Sequence, residues 1–356
     1  MNHYSTDTRN ALQAKEYAQW ISFAPFIFQA SRILRDSGIL EAIRKSGKGG
    51  VTLEAVAEKT ELSIYGARVL MEAGLGIGLI LVNEGKYKLT NVGVVMLVDT
   101  LTRVNMDFTN DICYEGLKDL QKSIKTGKPE GLHVLGNWNT IYEGLSILPE
   151  PARTSWFNFD HFYSDSAFEE ALDKVLQEKP YRLLDIGGNT GKWATACVTK
   201  DPNTHVTIFD LPVQAAVARK NVISQGLENR ISFHEADILK EDAEFPGNFD
   251  GIWMSQFLDC FSDEQIVSIL TRCSKAVTHE GYVYVLETFW DRQRFEASAF
   301  CLQMTSLYFT TMANGNSQMY DSKVFLKLLE QSGLSVVEIS DNIGISHSLI
   351  KCKKVK

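Results

Sequence analysis

"LLDIGGNTGKWA", Leu183 to Ala194, decides the fold: an apolar strand carries an acid, glycines break it, and a helix follows. A dinucleotide-binding turn would read GxGxxG, with glycines that let a pyrophosphate approach a helix N-terminus. Asn189 stands at the middle glycine's place, so that pattern fails. What remains is D-x-G-G-x-x-G, from Asp185 through Gly187, Gly188 and Gly191. Such a turn brings backbone close to a ligand that need not carry phosphate.

Around this stretch the same unit repeats. Candidate strands at 182–186, 205–209, 231–235, 251–254 and 282–286 alternate with helix-like segments. That alternation predicts an α/β fold with a doubly wound, Rossmann-like parallel sheet, whose ligand lies off the carboxyl ends of the strands. Asp210, followed by Leu211, ends the second strand about 20 residues past the glycines, where an acid accepts ribose hydroxyls. Asp237 beside Ile238, after the third strand, sets a carboxylate next to an apolar wall, as an adenine ring requires. A lone acid after a strand is often only a helix N-cap. Three in order at regular spacing point to an adenosine-type cofactor held without phosphates.

The rest of the chain sets bounds on this reading. Its 356 residues suggest two domains. A net charge of -8 with no long basic run argues against a nucleic-acid partner. Six cysteines, scattered without a CxxC pair, read as reduced structural thiols, and no metal site is expected. The N-terminus lacks the cationic start and apolar run of a signal peptide, and no apolar run of about 18 residues offers a membrane span. A cytoplasmic protein with no membrane partner is expected.

Residues 16–46 show apolar positions at helical spacing, and Thr52 and Ser63 stand as N-caps for two further helices. Short strands at 80–82 and 87–89 flank Asn83-Glu84-Gly85, a hairpin turn. Helix, helix and a small β wing make a winged helix. Its second helix exposes too few cations to read DNA, which leaves an interaction or dimerisation module at 1–110. A helical segment at 111–178 follows, dense in aromatics. "WFNFDHFYSDSAFEEAL" holds Phe157 and Phe162 with Asp160, His161, Ser164 and Asp165 between, as a pocket for a flat organic molecule requires. A second apolar stretch, Phe295 to Met312, adds Met304 and Tyr308. Residues 179–356 form the cofactor-binding domain.

With the glycine turn, Asp210-Leu211-Pro212, Asp237 and the closing "LLEQSGL…SHSLIKCKK", the chain resembles the class I S-adenosylmethionine-dependent methyltransferases. "GKYKLT" and "MANGNSQMY" narrow the resemblance to small-molecule O-methyltransferases of the caffeic-acid and acetylserotonin type. It implies S-adenosylmethionine as cofactor, a small aromatic acceptor methylated on a hydroxyl, and a homodimer formed through the front domain. Transfer to nitrogen or carbon, or a homologue that binds the cofactor without turnover, are the alternatives. By the same resemblance Gly187, Gly188 and Gly191 approach the methionine part, Asp210 the ribose, and Asp237 with Ile238 the adenine. Ser255 and Gln256 complete the cofactor contacts.

The catalytic positions depart from the family. "WMSQFLDCFSDEQ", Trp253 to Gln265, has Asp259 where the resemblance places a catalytic histidine, and Cys260 where it places an acid. Glu287 fits the family's acid after the fifth strand. Two candidates remain for the base. Asp259 has an ordinary pKa of about 4 unless burial raises it; its other reading is an N-cap for the helix beginning at Ser262 or Asp263. His161 titrates naturally in the useful range, and otherwise reads as a histidine bonded within a helix bundle.

Overall fold

The computed structural model describes residues 4–240 and 245–355. Two compact units divide the chain, one ending at Asn110 and the other beginning at Asp111.

In the first unit the helical stretch at 16–46 is three helices, Ala11–Ser22, Ala24–Asp36 and Ile39–Lys45. Pro25 opens the second, where its missing N–H costs nothing. Gly38, at φ 83°, makes the left-handed corner into the third. Helices Leu53–Thr60 and Ile64–Ile77 start at the expected caps: the Ala55 N–H donates to Thr52 at 3.4 Å and the Gly66 N–H to Ser63 at 3.0 Å. The hairpin pairs β1 (Ile80–Asn83) with β2 (Lys86–Leu89). Glu84 and Gly85 both take positive φ, 48° and 73°, the turn geometry that matches the twist of paired strands. Leu34, Leu40, Ile43, Val56 and Met71 form the core. Two helices bury little in it: Ala11–Ser22 buries no residue, and Asn91–Val98 fully buries only Gly93 while Met96 and Leu97 pack half-buried against the core.

The second unit is built on a seven-stranded sheet among the described residues, in the order β5-β4-β3-β6-β7-β9-β8. Its strands are β3 (Arg182–Ile186), β4 (His205–Asp210), β5 (Ile231–Glu235), β6 (Phe249–Ser255), β7 (Val277–Glu287), β8 (Leu334–Ile343) and β9 (His347–Lys354). The first five run parallel. β3 is apolar on both faces, as a strand covered on both sides must be. Leu184 and Ile186 enter one core with Ile269 and Phe325, while Leu183 enters the other with Trp193 and Val206. The chain winds outward from β3 through β4 to β5, then returns to lay β6 beside β3. That reversal opens a crevice at the carboxyl ends of β3 and β6.

β8 and β9, an antiparallel pair closing the sheet beyond β7, are absent from the sequence expectation. Most of β8 faces outward, so neither an apolar run nor clean alternation marks it. The long helix Ala152–Leu176 covers one face. Ala167, Ala171 and Val175, at four-residue spacing, bury its C-terminal half, while its N-terminal half turns aromatic and acidic groups toward the crevice.

Candidate active site

Three left-handed residues shape the turn after β3: Gly187 at φ 74°, Asn189 at 47° and Gly191 at 77°. Asparagine tolerates this region, which is why it replaces a glycine here. A Cβ on Gly187 would meet the Phe257 ring at 2.3 Å, and one on Gly188 would meet Asp185 Oδ2 at 2.9 Å. Asp210 braces the turn: its Oδ2 accepts the Asn189 N–H at 2.8 Å and its Oδ1 the Leu211 N–H at 2.7 Å. Each of those oxygens keeps acceptor capacity for a hydroxyl.

Asp185 is 2% exposed, and its Oδ2 has no hydrogen-bond partner among the described residues. Burial first, and the Asp210 charge second, push its carboxyl up to about 8. Its register partner Trp253 stacks on Trp193, with centroids 3.8 Å apart and planes 8° apart, and this double ring floors the site.

An open cleft runs between this turn and the long helix. Asp185, Gly187, Gly188, Ser255 and Gln256 line one side and Asp160, His161 and Phe168 the other. Gln256 holds a positive φ of 46°, and its Oε1, like Ser255 Oγ, is buried without a partner among the described residues. Uncompensated polar atoms of this kind fit a polar ligand that completes them. The expected contacts on the adenine side do not join the cleft lining. Asp237 Oδ1 accepts the Leu239 N–H at 3.0 Å, Ile238 is 7% exposed within the core, and Leu211 lies on the surface.

Asp259 lies on the short turn Leu258–Cys260 just past β6, 5% exposed. It is not a helix cap. Ser262 takes that role for the helix Asp263–Ala276, accepting the Gln265 N–H, while the Gln265 side chain reaches back to the Ser262 N–H. Burial pushes the Asp259 carboxyl up to about 7, the thiol of Cys260 donates to it at 3.5 Å, and Asp160 adds a like charge. Glu287, at the end of β7, accepts the N–H groups of Phe257 and Leu258 at 2.9 and 2.8 Å through Oε1, and its Oε2 has no partner among the described residues. It therefore clamps the turn that carries Asp259. Burial holds Glu287 well above the usual carboxylate range.

Of the three catalytic candidates, only His161 lines the cleft itself. Its imidazole stacks on Phe157 at 6.2 Å, and its Nδ1 lies 3.9 Å from Asp165. Asp259 and Glu287 lie behind the wall, linked to the cleft electrostatically through Asp160. Trp156 donates its indole N–H to the Tyr308 hydroxyl at 2.9 Å, which ties the long helix to the helix Glu296–Tyr308. Phe157 packs edge-on against Trp156 and Phe162 against Tyr163. Met304 is 45% exposed, and it stands outside the cleft lining, as Phe157, Phe162 and Tyr308 also do.

Sequence reading passed over Lys192, Trp193, Phe168 and Tyr142. His161, Ser164, Asp165 and Phe168 recur at i, i+3, i+4 and i+7, one helix face, and that spacing is the signal that assigns Phe168 to the wall. Tyr142 has no such signal. Its hydroxyl is buried beside Cys260, on a helix of four residues.

The sequence pattern of an O-methyltransferase domain matches residues 164–335, and that of a dimerisation2-like domain matches residues 15–87. An L-tyrosine C(3)-methyltransferase of Streptomyces lavendulae is 22% identical over 89% of this chain and 86% of its own. Acetylserotonin O-methyltransferase of Gallus gallus is 24% identical over 72% of this chain and 75% of its own. Among solved structures, the S-adenosylmethionine-dependent methyltransferase SibL aligns at a TM-score of 0.71 and 25% identity, covering 95% of this chain and 98% of that one.

Proposed function

Because the chain belongs to the S-adenosylmethionine-dependent small-molecule O-methyltransferases, we propose that it methylates a hydroxyl of a flat aromatic acceptor, with His161, which lines the cleft, or Asp259, behind its wall, receiving the proton. One observation carries this reading. The unpartnered Oδ2 of Asp185 and the glycine turn face the same cleft as the acidic and aromatic wall of the long helix. When bound, S-adenosylmethionine supplies a methyl group activated by a sulfonium and departs as a neutral thioether. Asp185, Ser255 and Gln256 hold its amino-acid end and Asp210 its ribose, while the adenine lies beyond the cleft lining, toward Asp237 and Ile238. Phe157 and Tyr308 orient the acceptor ring, and Met304 and Phe162 support that wall.

Positioning supplies much of the rate in such a displacement. The protein must still remove a proton from a phenol of pKa near ~10. Asp259, raised by burial, is matched to that work, and Glu287 is its positioning residue. His161, the other candidate, lines the cleft on the opposite wall. A second reading has a specific support: the S. lavendulae relative is named for transfer to carbon. A phenolate shares its charge with the adjacent ring carbon; methylation there gives a dienone that regains its aromatic ring by losing the ring C–H proton while the oxygen takes one back, and the product's methyl resonance distinguishes the two outcomes.

The first unit we read as a winged-helix dimerisation module. Trp20, Ile21, Phe26, Val95 and Val98 are exposed on it, an apolar surface suited to a second copy. No helix among the described residues is long and apolar enough to cross a membrane, and the six cysteines are free thiols, as a reducing compartment would keep them.

The deciding experiment is calorimetric titration with S-adenosylmethionine and S-adenosylhomocysteine, repeated on Asp210→Ala. Micromolar binding that the variant loses is the expected result. Absence of binding by the unmutated protein would overturn the cofactor reading.

A further inference from the structure

Lys192 is the one permanently cationic side chain among the described residues that line the cleft, whose other ionisable groups are Asp160, Asp165, Asp185 and His161. It opens the helix Lys192–Lys200 directly after the glycine turn. The backbone that carries it is fixed: Asp210 Oδ2 accepts the Asn189 N–H at 2.8 Å, and Asn221 Nδ2 donates to the Thr190 carbonyl at 3.0 Å. From this root the side chain crosses the cleft, where Lys192 Nζ lies 2.5 Å from Asp165 Oδ2. The two side chains are 53% and 41% exposed. An ion pair this open to water adds little stability, so it straps the glycine turn to the long helix and is readily exchanged.

The amino-acid end of S-adenosylmethionine carries both an ammonium and a carboxylate. Asp185 Oδ2 and Gln256 Oε1, buried without partners among the described residues, are acceptor oxygens and suit the ammonium. A carboxylate set among Asp160, Asp165 and Asp185 needs a cation, and Lys192 stands in the same lining. We propose that Lys192 leaves Asp165 to receive the carboxylate of the cofactor, and so selects a ligand whose amino-acid end is intact. The proposal rests on the cofactor reading above and gives that site a residue which the glycine turn and its acids do not include. The exchange trades an exposed ion pair for a charge-assisted hydrogen bond within the cleft. Asp165, once released, keeps the His161 imidazole as its neighbour, with Nδ1 3.9 Å from its Oδ1.

The test titrates the full chain by calorimetry with S-adenosylhomocysteine and with its decarboxylated analogue, which keeps the amine, the thioether and the adenosine and lacks only the carboxylate. Lys192→Gln should weaken S-adenosylhomocysteine binding about tenfold and leave binding of the analogue within about twofold. Asp165→Asn should tighten S-adenosylhomocysteine binding about two- to fivefold, since the lysine no longer has a partner to leave. Circular dichroism establishes that both variants are folded. An equal loss for the two ligands in Lys192→Gln, or no loss for either, would overturn the carboxylate assignment alone. Unchanged or weaker binding in Asp165→Asn would overturn the exchange. Failure of S-adenosylhomocysteine to bind the unmutated protein overturns the cofactor reading, and this proposal falls with it.

Discussion

Asp259 is a carboxylate that burial has moved into the range where histidine ordinarily works. With its carboxyl pushed up to about 7, the basic form gains population as pH rises through neutrality. Below that point kcat/KM should therefore climb about tenfold per pH unit and then level off. Asp259→Asn should remove the climb and lower kcat by about 10²-fold or more. His161→Ala should keep the climb and change mainly KM; a flat profile in His161→Ala would transfer the role to the imidazole. The position of Asp259 after β6 could be read from the sequence. Its chemistry could not, because the groups that bury and perturb it, Asp160 and the Leu258–Cys260 turn under Glu287, meet only in three dimensions.

At the scale of the element, the turn after β3 shows where local sequence suffices. Gly187, Gly188 and Gly191 mark a place where backbone must come close to something, and β3 and β5 fall where their apolar runs lie. Thr52 and Ser63 cap the helices they precede, since a short hydroxyl side chain before an apolar periodic run satisfies N–H groups nothing else reaches. Helix and strand ends set by tertiary neighbours stayed hidden, among them β8, whose mostly exposed side chains carry no periodic signal. Gly187→Ala combines a strained φ with a collision against Phe257, so it should lose about 1–2 kcal/mol in denaturant unfolding from the backbone alone. It should also lose cofactor affinity in titration. Gly226→Ala makes the contrast: φ is 68° but nothing lies within 4 Å of the added Cβ, so stability should drop while cofactor affinity stays.

For the whole molecule, the apolar surface of the first unit is the largest feature its own core leaves unexplained. The helix Asn91–Val98 carries Val92, Val94, Val95 and Val98 at 38–60% exposure, a costly arrangement in water for a chain acting alone. Sedimentation should give twice the chain mass, and Val95→Asp should shift the protein toward the single chain. A single-chain mass for both would remove the dimer. In sequence this surface is indistinguishable from core, since apolar periodicity reports that a face must be covered and not by what.

The order β7-β9-β8 also has a consequence for how the protein is made. β9 lies between two strands that precede it in the chain, so a growing polypeptide exposes the bare edge of β7 until His347–Lys354 has left the ribosome. Open edges recruit other strands. A chain halted anywhere after β8 and before His347 would keep every residue of the cleft and yet present two unpaired backbone rows to its neighbours. Translation arrest in that short interval should therefore yield aggregates that hold an intact glycine turn.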